Sequence, residues 1–209
     1  MPLYKTIIPK KNTKVYVWHI TESLEELDTV FLTGNSRERV SGMKSEIHQK
    51  GFLSIRHLLQ EAGYHDDDLY YTANGKPHLK DSKHISITHS FVFSAIIISD
   101  IEVGIDIEMN REKIKRVASK FVNAEFDYLN EIDMVEQLTV IWGAKESLFK
   151  IYPYEGLSFK KHIIVDEFNL LDTHAFARIA IEDYKKEYLF HFQHIDGYTL
   201  VYALPNYLH

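Results

Sequence analysis

The stretch FSAIIISDIEVGIDIE, residues 93–108, constrains this chain more than any other. It is strongly apolar, and its end alternates, with Val103, Ile105 and Ile107 interleaved with Gly104, Asp106 and Glu108. Successive side chains of a strand point to opposite faces, so the apolar residues share one face and the two acids share the other. Residues two apart on a strand lie roughly 7 Å apart on that face. Like charges that close repel, and burial makes the repulsion worse. Either the acidic face is wet, as in an antiparallel sheet with one solvated side, or a cation belongs beside it. The segment reads as a hairpin with its turn near Ser99-Asp100, which puts the acids on its second strand.

Around this stretch the pattern switches repeatedly between the periods of strand and helix. KVYVWHI (14–20) and HISITHS (84–90) alternate as strands do. TESLEELDTVF has apolar residues at 24, 27, 30 and 31, which predicts a helix capped by Thr21. Ile47, Phe52, Ile55, Leu58 and Leu59 predict an amphipathic helix that stops at Gly63. DDDLYYTANGKPHLK (66–80) reads as one or two strands around an Asn74-Gly75 turn, with Pro77 marking an edge. REKIKRVASKFVNAEFDYLNEI and MVEQLTVIWGAKESLFKIY read as helices, the second with Leu138, Ile141, Trp142, Leu148 and Phe149 on a broad face. KHIIVDEF, HAFARIAIED and YLFHFQHIDGYTLVYAL return to strands. The coarse order recurs in two parts without literal repetition. The expectation is an α+β protein built as a pseudo-two-fold pair of similar halves, 1–101 and 102–209, each a small antiparallel sheet packed with helices. A junction near residue 101 puts a site in the cleft between them.

Composition narrows the class. A chain of 209 residues is ample for a sizeable core. A net charge of −6 argues against a general nucleic-acid binder, so any anionic ligand needs a local basic cluster. The absence of cysteine excludes disulfides and thiolate chemistry. The start, MPLYKTIIPKKN, has no signal-peptide core, and the longest apolar runs are about five residues. These features predict a cytoplasmic protein with no membrane partner.

In WGAKESLFK, Trp142, Glu146 and Lys150 follow at i, i+4 and i+8, so on a helix they form one stripe. By itself this is a surface Glu-Lys pair worth about 0.3–0.5 kcal/mol. VGIDIE followed by WGAKESLFK, with Asp106 and Glu146 separated by 40 positions, is more specific. Together they resemble the signature of the 4'-phosphopantetheinyl transferases: Gly-hydrophobic-Asp-x-Glu, a spacer, then Trp-x-x-Lys-Glu-(Ser/Ala)-x-x-Lys. The larger, two-half type that activates surfactin synthetase also carries GKP and SHS segments upstream, and this chain has NGKP (74–77), ITHS (87–90) and a basic-helix segment, IRHLL (55–59). Thr88 stands where serine is commoner, and Gly143 replaces a small hydroxyl residue.

The resemblance implies transfer of 4'-phosphopantetheine from coenzyme A to a serine of an acyl or peptidyl carrier protein, releasing 3',5'-ADP, by a monomeric enzyme. It implies Mg²⁺, with Mn²⁺ as a substitute, held by Asp106, Glu108 and Glu146 as hard oxygen ligands. Glu146 and Lys150 are the implied catalytic pair, Glu146 also as a base for the serine proton. Coenzyme A is expected to meet Arg39, Lys50, Arg56, Lys76, Pro77, Thr88, His89, Asp106, Lys145 and Lys150, with Arg56 and His89 on the 3'-phosphate side. Arg37 and Lys44 are further candidates in the N-terminal basic cluster. Two other classes stand beside this one. A silent coenzyme A or nucleotide-binding module keeps the ligand and lacks turnover, and a metal-dependent phosphohydrolase releases 3',5'-ADP without a carrier.

Overall fold

The apolar stretch 93–108 does not fold back on itself: its two strands enter different sheets. In the computed structural model, which describes residues 3–206, the chain forms two units, Met1–Asp100 and Ile101–His209, and the break falls inside that stretch.

The first unit runs β1 (Leu3–Lys10), β2 (Thr13–His19), α1 (Leu24–Leu27), α2 (Gly34–Ser41), α3 (Glu46–Glu61), β3 (Leu69–Tyr71), β4 (Pro77–Leu79), β5 (His84–Ser90) and β6 (Phe93–Ser99). Its main sheet has the order β1-β2-β6-β5, all antiparallel, while β3 and β4 pair around the expected turn at Gly75. β6 therefore has β2 and β5 as neighbours, and the predicted hairpin between 93–99 and 104–108 is absent. α3 buries Phe52, Leu53, Ile55, Leu58 and Leu59 in a core that includes Tyr16, Trp18, Ile85, Ile96 and Ile98. Each such side chain contributes roughly 1.5–3 kcal/mol on burial, more than the ~1 kcal/mol range of ordinary helix propensities, so packing decides this helix. Gly63, at φ 86°, lies just beyond its end.

α1 is a single turn rather than the longer helix expected from residue 21 onward. Its cap is Ser23, not Thr21: the Glu26 amide donates to Ser23 Oγ, and the Ser23 amide donates to Glu26 Oε2 at 2.8 Å. The reciprocal pair needs an acid three residues after the cap. Ser23 has Glu26 there, and Thr21 has Leu24.

The second unit contains β7 (Gly104–Met109), α4 (Lys113–Val117), α5 (Met134–Ile151), α6 (Phe159–His162), β8 (Ile163–Val165), β9 (His174–Ile181), β10 (Tyr184–Ile195) and β11 (Tyr198–Pro205). The sheet order is β7-β11-β10-β9-β8, again antiparallel. α5 packs Leu138, Ile141, Ala144 and Leu148 into a core with Ala177, Tyr188, Phe190 and Val201. Asp196 and Gly197 both take positive φ at the β10–β11 connection, which suits a tight hairpin turn. The long helix expected over 111–132 is broken into α4 and two short 3₁₀ turns, Ala118–Lys120 and Ala124–Tyr128. Phe121 and Val122 plunge into the core between them, and Glu125 Oε2 accepts from the Asn123 amide, a local bond that competes with the helix ladder. Both units are thus α+β, antiparallel sheets packed with helices. Among the described residues no helix is long and apolar enough to cross a membrane.

Candidate functional site

Two glycines let α5 lie almost against the sheet. A Cβ built on Gly104 would overlap the Ser147 carbonyl, so at this point β7 and α5 touch backbone to backbone. A Cβ on Gly143 would lie 2.7 Å from Val201 Cγ2 and 3.8 Å from Asp106 Oδ2. The close approach brings the carboxyl end of α5 over β7. Lys150 Nζ donates to the Ile105 carbonyl at 2.7 Å and to Asp106 Oδ1 at 2.9 Å.

The acids of β7 do not share a wet face. Asp106 is only 4% exposed, and Glu108 is half-buried. Along residues 141–150 the half-buried positions are Trp142, Glu146, Phe149 and Lys150, which keeps the predicted stripe open on an otherwise buried stretch. Burial pushes the Glu146 carboxyl up to about 7; Asp106 and Glu108 push the same way, and Lys150 opposes them. Two carboxylates thus act on Glu146 from β7, and the Lys150 ammonium, bonded to Asp106, acts against them. A carboxyl that titrates near neutrality is suited to taking and returning a proton. A cleft of about 210 Å³ opens beside this group, lined by Glu108, Met109, Ile114, Val117 and Trp142 with Arg111 and Lys113.

Lys145, on the same helix, lies in the interior. It is fully buried, with Nζ 2.6 Å from Glu125 Oε1 and bonded to the carbonyls of Phe121 and Phe159. Glu125 also accepts from the amides of Asn123 and Val165. Burial alone would raise the Glu125 carboxyl, but the bonds from Lys145 and Asn123 outweigh it and hold the group below the usual carboxylate range. The pair ties α5 to the 3₁₀ turn after α4, to α6 and to β8. Sequence reasoning missed Glu125 altogether. A signal was present: Leu138, Ile141, Lys145 and Leu148 fall on one helical stripe, so Lys145 stands in line with core residues.

In the first unit, Arg56 is likewise turned inward. Its Nε donates to Asp66 Oδ1 at 2.9 Å, both side chains are almost wholly buried, and its guanidinium lies 3.6 Å from the centre of the Phe52 ring. Asp66 further accepts from Thr33 and Ser36 at the start of α2, bonds that together with Arg56 overcome burial and keep it ionised. Arg56 thus makes a buried pairing within the unit. Arg39 stacks between Phe52 and Tyr71, 5.7 and 5.1 Å from their ring centres. Lys50 pairs with Glu46 at 3.0 Å and remains partly exposed. Arg37 pairs with Asp28 on the surface. Lys76 and Pro77 lie at the β3–β4 turn, where the Thr72 amide donates to the Lys76 carbonyl. Thr88 is buried in β5, while His89 is exposed on the same strand, with the His48 ring 6.3 Å away.

Among the described residues no three His, Asp or Glu side chains gather closely enough to cage a metal ion. Mg²⁺ rarely uses such a cage, taking one or two carboxylates and completing its shell with waters and substrate phosphates. The donor chemistry fits that habit: oxygen ligands only, with Glu146 raised first by burial and then by the charges of Asp106 and Glu108.

Residues 102–203, just under half of the chain, match the 4'-phosphopantetheinyl transferase superfamily. The matched segment takes in β7 and α5 whole, and with them Asp106, Glu108, Lys145, Glu146 and Lys150. No curated protein matches the chain.

Proposed function

We propose that the protein transfers 4'-phosphopantetheine from coenzyme A to a serine of an acyl or peptidyl carrier protein, as the larger two-half type does. The observation that carries this reading is the meeting of Asp106 and Lys150 beside a Glu146 raised to about 7, inside the segment that matches the superfamily. The serine hydroxyl attacks the β-phosphorus of coenzyme A, the bond to the bridging oxygen breaks, and 3',5'-ADP leaves. Glu146, half ionised near pH 7, accepts the serine proton. Lys150 stands as a point charge toward the phosphate on which charge grows. Asp106, Glu108 and Glu146 would hold Mg²⁺, which neutralises pyrophosphate charge and fixes its geometry. His89, with Arg39 and Lys50, offers cationic or donor groups for the phosphomonoester, and Lys76 and Pro77 for the nucleotide end.

The test is mass gain on purified apo carrier proteins of fatty-acid, polyketide and nonribosomal-peptide type, with coenzyme A and Mg²⁺. Addition of one phosphopantetheine to the carrier serine is the expected result. Release of 3',5'-ADP without any carrier would favour a phosphohydrolase, and coenzyme A binding with no turnover a silent module.

A further inference from the structure

Gly51 sits in the interior of α3, where glycine costs about 1 kcal/mol relative to alanine. Helix geometry does not ask for it. Space does: a Cβ built at Gly51 would lie 2.9 Å from His89 Nδ1, 3.0 Å from Cγ and 3.3 Å from Cε1. The imidazole of β5 therefore rests one edge on bare helix backbone. Nε2 is not among the three nearest ring atoms, so it is the ring nitrogen farther from the helix. Gly51 is buried, yet His89 is exposed, so a ring seated on the helix belongs to a residue that still reaches solvent. His48, one turn earlier on α3, stands 6.3 Å away at a 60° tilt and bounds the seat.

We propose that Gly51 is a positioning residue for anion recognition: the missing side chain is the seat that fixes the His89 imidazole so that Nε2 meets the phosphomonoester of coenzyme A. This rests on the transferase reading above, and it adds to that reading a residue whose side chain touches nothing. A β-carbon at position 51 pushes the ring outward and spoils the reading of that one phosphate, while the diphosphate chemistry on β7 and α5 is untouched.

The experiment is a cycle of wild type, Gly51→Ala, His89→Ala and the double variant, assayed with coenzyme A and with 3'-dephospho-coenzyme A. Gly51→Ala should raise KM for coenzyme A about tenfold, the size of one charge-assisted hydrogen bond. Its KM for the dephospho analogue should move by less than about twofold, and kcat should hold. Adding Gly51→Ala to His89→Ala should raise KM no further. An unchanged KM in Gly51→Ala, an equal rise for both nucleotides, or additive effects would each overturn the proposal. If Gly51→Ala fails to fold, the double variant decides. With the ring removed it should fold with a Tm at or above that of His89→Ala, and a double variant that also fails shows that the glycine serves the backbone instead. If the wild type loads no carrier, the transferase reading falls. The same cycle, read as Kd for the two nucleotides, then still decides on Gly51: loss of discrimination supports the seat, and equal Kd changes or none refute it.

Discussion

Lys145 and Lys150 stand on the same helix, in the same short motif, each bonded to a carboxylate of another segment. Their settings are opposite. Lys145 and Glu125 are 0% and 2% exposed, and their remaining bonds run to main-chain groups of the interior. Lys150 is 26% exposed, and its partner Asp106 shares its surroundings with Glu146 and Glu108. One pair is charge-balanced and sealed. The other stands at an open edge beside two further carboxylates. An ion pair within a motif does not announce its role. Its setting does, because carboxylates gathered at an open edge suit a cation, and through the cation a phosphorylated ligand, and a sealed pair does not.

The sealed pair is the one whose loss should hurt the fold most. Lys145→Met leaves Glu125 buried without its counter-charge, and such a break costs about 3–5 kcal/mol. Denaturant unfolding should show a drop of that order. Combining Lys145→Met with Glu125→Gln should recover part of it, since the stranded charge is gone. A Lys145→Met protein of wild-type stability would place Lys145 with the ligand-facing residues after all.

The open group should respond in turnover rather than in folding. Glu146→Gln keeps the shape and should lower kcat roughly 10²-fold by removing a base. Its stability should change with pH in a defined direction. In the unfolded chain Glu146 ionises near 4.5, and in the folded protein near 7. Between those values the folded state keeps a proton that the unfolded state has lost, so stability falls as pH rises through the window. The contribution is complete below the lower value and lost above the upper one. Chemical unfolding across pH 4.5 to 7.5 should show this slope in wild type and its absence in Glu146→Gln. Asp106→Asn should shrink the window by removing a neighbouring charge, and Lys150→Met should widen it.

The smallest expected effect lies between the two pairs. Gly143→Ala gains up to about 1 kcal/mol of helix propensity but meets Val201 Cγ2 at 2.7 Å, a clash of about 1–3 kcal/mol where the neighbour cannot turn. A modest net loss in Tm is expected, turning to a gain when Val201→Ala is added. If that rescue fails, the tight contact of α5 is with something other than β11.

Much of this was legible from periodicity. The alternation of 84–90, the apolar stripe of α3 and the motif spacing of β7 and α5 all appear in the sequence because they are local. The partner of β7 was not, because a strand one short link away imitates a hairpin, whereas the true neighbour lies at 198–205. The burial of Arg56 and Lys145 was not legible either, because a sequence shows charge and hides depth. Their acids, Asp66 and Glu125, sit in polar segments, DDD and NAEFDY, that carry no periodic signal. Gly51 was equally silent, since a glycine chosen for what approaches it looks like any other glycine, whereas Gly104 was marked only by its place in the motif.

Within its sheet, β7 pairs with β11 over Gly104–Met109. On a ribosome, where the chain emerges from its amino end, the strand that carries Asp106 and Glu108 is made about ninety residues before Thr199 and Val201, its partners in β11, appear. The β10–β11 hairpin closes locally through its Asp196-Gly197 turn, so the last two strands are assembled quickly once they exist. The consequence is a built-in order of synthesis. A nascent or truncated chain lacking residues 198–205 has no β11 for its acidic strand to join, and the β7–β11 ladder beneath Lys150 closes only after those residues have been made.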